Sequence, residues 1–491
     1  MIVGVSGEGF LRTFKVKGRA PTKGAKNGMP SWKRREKTMR WGLWWGLCLL
    51  CLGSFSAFCA AADTASDEVL SLQAAVEEAL ANHHLIREAE ELEKAAMNEQ
   101  ESAQAALKPS LSAHYQYFRL EDHPYAILRT NLGVEEVNMG HRGTYTWDVT
   151  LTQPLFTGFA LSTKKKIADL DVAVSQVRKE AAILDVIKHV KTAYYRVLLA
   201  QRHLDVAREA VDQLAAHLQD AQRFYEQGLI PYNDVLKSQV ALAQAQQVHV
   251  RRQKDLELAS ADLNRLLGRD FAHPVRLQEA GAFPPSQALS LDELTAEASR
   301  ARPELAILRL EVGKAKEAVR LAASELYPRV FAVGMYERTG KDPLGEKNDY
   351  RNPETAAVGV RMDWSIFEWG RSQSQVRRQR HSLRALEERL AEIERSVFLE
   401  VRAALADAQV AEENIHTAKK ALEQAKENLR ITRLQYQQQV TTVTEVLDAR
   451  TYLTQAEANF YAAHYGRHIA QAELDRAVGR RECIGGVSHG Q

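Results

Sequence analysis

The chain has 491 residues, is 45% hydrophobic and 26% charged, and carries 65 Lys and Arg against 63 Asp and Glu, a formal +2, with mean hydropathy −0.36. Residues 1–62 hold 11 Lys and Arg and two acids; taking their net +9 from +2 leaves −7 for the remainder, which removes the charge basis for a nucleic-acid partner. Three of the four cysteines (Cys48, Cys51, Cys59) sit in that first segment and leave only Cys483, which excludes a disulfide scaffold.

From the N-terminus, a basic run (Lys33 to Arg40), an apolar run (Trp41 to Phe58) and small residues up to Ala62 form the three-part layout of a secretory signal peptide. Residues 1–62 are therefore read as a leader, cleaved before Asp63, with a true start near residue 39; the alternative is an uncleaved membrane anchor. Residues 68–107 read as one helix ended by Pro109. "SLSAHYQYF" (110–118) and "TYTWDVTLTQPLF" (144–156) then alternate with period two, which predicts strands separated by a polar loop over 121–143. In the second strand Tyr145, Trp147, Val149 and Leu151 face one way; Thr144, Thr146, Asp148, Thr150 and Thr152 face the other.

The pattern next switches to a strict seven-residue repeat, from Val190 through Val197, Leu204, Val211 and Leu218 to Tyr225, the signature of a left-handed coiled coil. From about Ser162 to Gln227 such a helix is roughly 100 Å long. The chain turns at "QGLIPYNDVL" (227–236) and returns along Leu242, Ala245, Leu256, Leu263 and Leu266.

Sliding the sequence on itself by 211 positions superposes the rest. "WDVTLTQPLF" (147–156) falls on "VGVRMDWSIF" (358–367), "ADLNRLLGR" (261–269) on "AELDRAVGR" (472–480), and the first corner on "QQQVTTVTEVL" (437–447). The expected organisation is a first repeat over 63–270, a Pro-containing linker over 271–290, a second repeat over 291–480 and a tail over 481–491.

Four strands cannot close a barrel, and an open sheet in lipid leaves backbone groups unsatisfied at several kcal/mol each. Yet each strand has one apolar, aromatic face and one polar face, as outer-membrane strands do. The predicted fold is mainly α with membrane β: three chains sharing one 12-stranded β-barrel, continued by a coiled-coil α-barrel tunnel. The competing architecture is a soluble helical hairpin protein whose strands form a small capping sheet.

Several residues stand out chemically. Gly228, Leu229 and Ile230 make a tight turn with apolar side chains suited to packing against another helical hairpin; Gln439 and Val440 hold the same place in the second corner. Glu445 and Asp448, at i and i+3, share one helix face. Six such carboxylates in a trimer would favour cations and oppose anions, whereas a solvated helix face is the plain alternative. Phe156 and Phe159 precede Lys164, Lys165 and Lys166; Phe367 and Trp369 precede Arg371. Aromatics with cations fit a headgroup boundary; an ordinary charged helix start is the alternative. No metal-ligand spacing, phosphate-cradling glycine loop or nucleophile motif is present, so neither catalysis nor a cofactor is expected.

The junctions "QPLFTGF" (153–159) and "SIFEWGR" (365–371), the corners "RFYEQGLIPYNDVLKSQ" (223–239) and "LQYQQQVTTVTEVLDA" (434–449), and their doubled order resemble the TolC-type outer-membrane efflux proteins, the outer membrane factors. That resemblance implies a homotrimeric, passive exit duct of a tripartite efflux or type I secretion system. It would lie in the Gram-negative outer membrane and project into the periplasm, with its tips docked on a periplasmic adaptor (membrane fusion protein) and an inner-membrane pump. It also implies that Tyr436, Glu445, Asp448 and Asp234 belong to a periplasmic gate, and that Thr441 stands where well-known members carry an arginine paired with the Asp234 position. A structural coiled-coil envelope protein without a pore is the other functional class.

Overall fold

Small and apolar residues recurring at alternating steps of three and four give a helix one narrow stripe, which only another helix laid alongside can bury. The computed structural model describes residues 69–130, 133–279, 281 and 290–481 and is mainly helical. In chain order it comprises α1 (Leu72–Asn82), α2 (His84–Ala105), β1 (Ser110–Arg119), β2 (Tyr125–Thr130), β3 (Gly133–Asn138), β4 (Gly143–Phe156), α3 (Ala160–Glu226) and α4 (Tyr232–Leu267). There follow α5 (Leu291–Ala301), α6 (Pro303–Ala323), a 3-10 turn (Ser324–Leu326), β5 (Arg329–Gly340), β6 (Glu354–Asp363), α7 (Arg371–Gln437) and α8 (Val443–Val478). The expected leader, part of the expected linker and all of the tail after Arg481 lie outside the described residues. Among those described, no helix is long and apolar enough to cross a membrane.

The helices α3 and α7 have 67 residues each, and α4 and α8 have 36 each. Ala160 to Arg371 and Tyr232 to Val443 are both 211 positions apart. Two separate cores form around these pairs. One joins Ala75 and Ala79 of α1 to Val186, Val190 and Ala193 of α3 and Leu263, Leu266 and Leu267 of α4. The other joins Leu294 and Ala298 of α5 to Val397, Val401 and Ala404 of α7 and Leu474, Ala477 and Val478 of α8. Each is clamped by a two-pronged ion pair: Arg269 donates Nε and Nη2 to Glu78 at 2.6 and 2.5 Å, and Arg480 does the same to Glu297 at 2.7 and 2.6 Å. The Arg480 contact holds the Glu297 carboxyl below its usual range.

Three sequence expectations are corrected. The single helix expected over 68–107 breaks at His83, whose backbone is extended and whose Nδ1 accepts the Leu85 N–H at 3.2 Å, capping α2. The loop expected over 121–143 contains the β2–β3 hairpin, too short and too mixed in polarity for alternation to register. Trp364 and Ile366, which the offset of 211 sets on the strand residues Gln153 and Leu155, lie beyond the end of β6 at Asp363 rather than inside a strand. The start of the 271–290 segment is packed: Leu277 bridges Leu70, and Tyr194 Oη donates to the Leu70 and Gln278 carbonyls at 3.0 and 2.7 Å.

The main sheet has order β1-β4-β5-β6, antiparallel throughout. Its two faces differ chemically, as the alternation predicts. On one, Tyr117 packs on Tyr145 (4.4 Å between centroids) and Trp147 on Tyr336 (5.6 Å). On the other, His114 meets Asp148 (3.2 Å), Thr150 donates to Asp148 (3.1 Å) and Thr146 bonds Thr339 (3.2 Å). Every residue of the outer strands β1 and β6 is exposed, and Val358, Val360 and Met362 are 94%, 69% and 62% accessible. Among the described residues the sheet is open, with two unpaired edges and an uncovered apolar face.

The two helical pairs meet where α3 lies against α8. Lys191 and Asp475 form a buried pair there at 3.5 Å, and Gln471 donates to the same carboxylate at 2.8 Å. Removing one partner of a buried pair costs about 3–5 kcal/mol, because the other is left charged and uncompensated. Arg476 reaches from α8 to Asp185 of α3 and Glu304 of α6. Tyr195 stacks on His468 at 4.4 Å; burial pushes the His468 imidazole down to about 4 and the Tyr195 phenol up to about 12.

Candidate functional site at the two helical corners

Both corners end a 67-residue helix in the same way. At the first, Gly228 N–H donates to Tyr225 O (2.8 Å) and Leu229 N–H to Phe224 O (2.8 Å); at the second, Gln439 N–H donates to Tyr436 O (2.9 Å) and Val440 N–H to Gln435 O (2.9 Å). This double closure needs a left-handed residue just past the helix end. Gly228 supplies it at φ +71°, and a Cβ there would meet nothing within 4 Å, so only its backbone angle calls for glycine. Gln439 adopts φ +60° with a full side chain, a conformation that costs an L-residue roughly 1–2 kcal/mol. Leu229 and Val440 project outward at 46% and 73% exposure, but Ile230, expected to be exposed, is half-buried.

Tyr436, Val443 and Val446 form a small buried core backed by Phe224 and Leu447. The Tyr436 ring lies 5.4 Å from His217 and 5.8 Å from Phe224, so the last turns of α3 and α7 are packed together. Its Oη is buried without a hydrogen-bond partner among the described residues. Burial first, then the Asp234 and Asp220 carboxylates, push this phenol up to about 12. Asp234 thus stands near Tyr436, as expected, but its bond runs to a residue the sequence reading missed. Lys237 Nζ donates to Asp234 Oδ1 at 3.4 Å and to Thr444 Oγ1 at 3.3 Å, joining the first turn of α4 to the first turn of α8. The available signal was a lysine at i+3 from Asp234 on a chain lacking an arginine at 441. Thr441 itself is half-buried; its neighbour Thr442 caps α8 by accepting the Glu445 N–H at 3.4 Å. Glu445 and Asp448 are both exposed, opposite the buried Val443, Val446 and Ala449. One turn further Arg450 is buried, its Nη2 donating to Glu209 O of α3 at 3.3 Å.

At the far end of the long helices, two consecutive left-handed residues turn each junction from strand to helix: Gly158 (+61°) with Phe159 (+68°), and Trp369 (+53°) with Gly370 (+80°). The glycine is first in one pair and second in the other. A Cβ at Gly158 would sit 2.6 Å from Ser324 O, so the glycine there is also required by close approach. Phe159 and Trp369 are pushed outward, 63% and 90% exposed; Phe159 packs edge-on against Phe156 (5.4 Å) and Tyr327 (6.2 Å), and Trp369 against Phe367 (4.9 Å). Lys164 and Lys166 are exposed, Lys165 pairs with Asp169 at 3.8 Å, and Arg371 pairs with Glu368. Replacing Gln439 with Gly should stabilise the purified protein by about 1 kcal/mol by relieving the left-handed strain. A lower Tm in Q439G would show that the glutamine side chain compensates for its backbone.

Comparison with known proteins places this architecture. The profile of the outer membrane efflux protein family matches residues 75–269 and 294–480. The chain is 27% identical over 336 residues to the alkaline protease secretion protein AprF of Pseudomonas aeruginosa, covering 67% of this chain and 69% of that one. It is 23% identical over 358 residues to the outer membrane protein TolC of Escherichia coli, covering 71% and 72%. Its fold is similar to the crystal structure of the Campylobacter jejuni CmeC outer membrane channel, with a TM-score of 0.70 at 15% identity, covering 83% and 85% of the two chains. With the profile spanning both helical hairpins and both strand pairs, the chain belongs to the outer membrane efflux protein family and is an outer-membrane channel of an efflux or type I secretion system.

Proposed function

We propose that three copies of this chain close one 12-stranded barrel in the outer membrane and continue it as a helical tunnel through the periplasm. The carrying observation is the open sheet: β1 and β6 are fully exposed, their edges are unpaired, and the apolar residues of β6 face outward. In hydrocarbon such edges must be paired, and an even-numbered, closed array of antiparallel strands does so. The helices support the same reading, because the α7 stripe stepping by three and four through Ala408, Ala411, Ile415, Ala418, Leu422, Ala425 and Leu429 is only half-buried in a single chain. Matching helix bounds, matching cores and twin Arg–Glu clamps support two copies of one unit, over 63–270 and 291–480, joined by a linker over 271–290. The aromatic pairs Phe156–Phe159 and Phe367–Trp369 lie where the barrel meets the periplasm, with Lys164, Lys165, Lys166 and Arg371 beside them. No chemistry on a substrate is assigned; the energy for transport comes from the inner-membrane partner.

The corners form the inner end of this duct. Leu229 and Val440, with Gly228, Ile230 and Gln439 shaping the turns, dock on a periplasmic adaptor that brings an inner-membrane pump. Glu445 and Asp448 line the entrance and attract cations. Lys237 takes over the role of the arginine missing at 441, holding α8 against α4 when the entrance is closed, with Tyr436 packed behind it.

Conductance of the purified protein in a planar bilayer tests the duct, since a pore-less scaffold passes no ions. E445A/D448A should lose most of its cation preference; unchanged reversal potentials in a salt gradient would remove the acidic ring. K237M, deleting a contact of about 1 kcal/mol per chain, should raise mean conductance, and equal conductance would show that the tie does not hold the entrance shut. L229E should leave assembly intact while abolishing transport with the adaptor and pump; full transport would refute docking at this tip.

A further inference from the structure

Where strands give way to helices the chain forms an open cavity of about 540 Å3, within the range of small-molecule sites. The ends of β4 and α6, the start of β5, and the first turns of α3 and α7 all contribute to it. Leu161, Leu321 and Phe331 give it an apolar wall. Three cations from three different elements stand around that wall: Lys164 of α3, Arg329 of β5 and Arg378 of α7, against one carboxylate, Glu325. None of the three has an ion-pair or side-chain hydrogen-bond partner among the described residues, whereas the arginines clamping the helical cores (Arg269, Arg302, Arg476, Arg480) all have carboxylate partners. The cavity is therefore apolar within and carries an excess of positive charge at its rim.

The strand register says which way it opens. Pro154 stands across from Phe331. On β4 it lies in the alternating row of Thr146, Asp148 and Thr150, the polar side of the sheet, and Arg329 follows Phe331 in the same row of β5. In the proposed channel that side is the lumen. The wall accommodates a hydrocarbon tail, and the three cations suit an anionic headgroup through charge-assisted hydrogen bonds.

We propose that this cavity is a luminal binding site for anionic amphiphiles, compounds with a carboxylate, sulfate or phosphate head on a hydrocarbon tail, at the upper end of the tunnel. The site rests on the reading of the polar face as lumen. It stands at the opposite end of the long helices from Glu445 and Asp448, so an acidic entrance and a basic upper site share one conduit.

The test uses the full chain in phosphatidylcholine nanodiscs and the fluorescent fatty acid 11-(dansylamino)undecanoic acid, with its methyl ester as the neutral control. The acid should bind at least tenfold more tightly than the ester, and R329Q or R378Q should each weaken it by roughly tenfold, the effect of losing one charge-assisted contact. Planar-bilayer currents of the same preparations score the channel separately. Acid and ester binding alike, or wild-type affinity in R329Q/R378Q, would overturn the site while normal currents left the channel standing; absent currents would overturn both. Inorganic phosphate binding as tightly as the probe would show an anion site with no use for the tail, and displacement by phosphatidylglycerol, which the disc confines to the outer face of the barrel, would place the cavity on the lipid side; either result refutes the proposal.

Discussion

A β-strand at the edge of a sheet presents a row of N–H and C=O groups, and hydrocarbon offers them no partner. This chain has two such rows, on β1 and β6, flanking a sheet whose apolar residues are uncovered. Four strands are too few to bend round and meet each other. In the proposed channel the sheet lies in the outer membrane, and its edges then take strands from other chains. The half-buried stripe of α7 makes the same demand in helical form, since a coiled-coil seam with one wall missing leaves its knobs without holes. Subunit assembly in the proposed channel is thus a condition of folding for the membrane-facing part.

The two halves meet one set of backbone requirements with different residues. Each long helix must leave its strand through two left-handed residues and end in another. Glycine fills three of these six positions; Phe159, Trp369 and Gln439 fill the others, and they are the only non-glycine residues with positive φ among those described. At roughly 1–2 kcal/mol each this is a sizeable cost for a chain of ordinary marginal stability. Phe159 and Trp369 recover something, because the strained backbone throws an aromatic ring outward onto a neighbouring ring. Gln439 has no such packing in the single chain, and its corner carries the exposed Val440.

Polar ties cross between the hairpins alongside the Tyr465 and Ile469 contacts of the first core. Lys191–Asp475, Arg476 on Asp185, and Arg450 on a backbone carbonyl all tie α8 to α3, while Arg476 also reaches Glu304 of α6. Apolar seams tolerate sliding, whereas paired charges define a register, because a shifted pair leaves two buried ions. The upper seam therefore holds α8 firmly against α3. Below Arg450 the ties are the long Lys237 contacts and the small Tyr436 core.

Much of this was written in the linear pattern. The seven-residue stripe from Val190 to Tyr225 marked the helix, the span from Ser162 to Gln227 its length, alternation in 144–156 separated the sheet's two faces, and the offset of 211 matches the spacing of the helix starts. Each of these depends on periodicity, which a chain carries in its order of residues. What sequence order could not reveal was whatever rests on a single residue's backbone or on a contact across the fold. The break at His83 depends on one ring nitrogen capping an amide. The β2–β3 hairpin is too short to show a period, the half-burial of Ile230 depends on how its one turn folds, and Lys237 finds Thr444, 207 residues away, only once α4 and α8 lie side by side. The sequence by itself settled where the long helices and the alternating strands run and which of their faces are apolar, because repeated burial imposes a repeat. The tertiary structure alone decided which side chains meet at the corners and junctions, because those meetings occur once and leave no repeat to read.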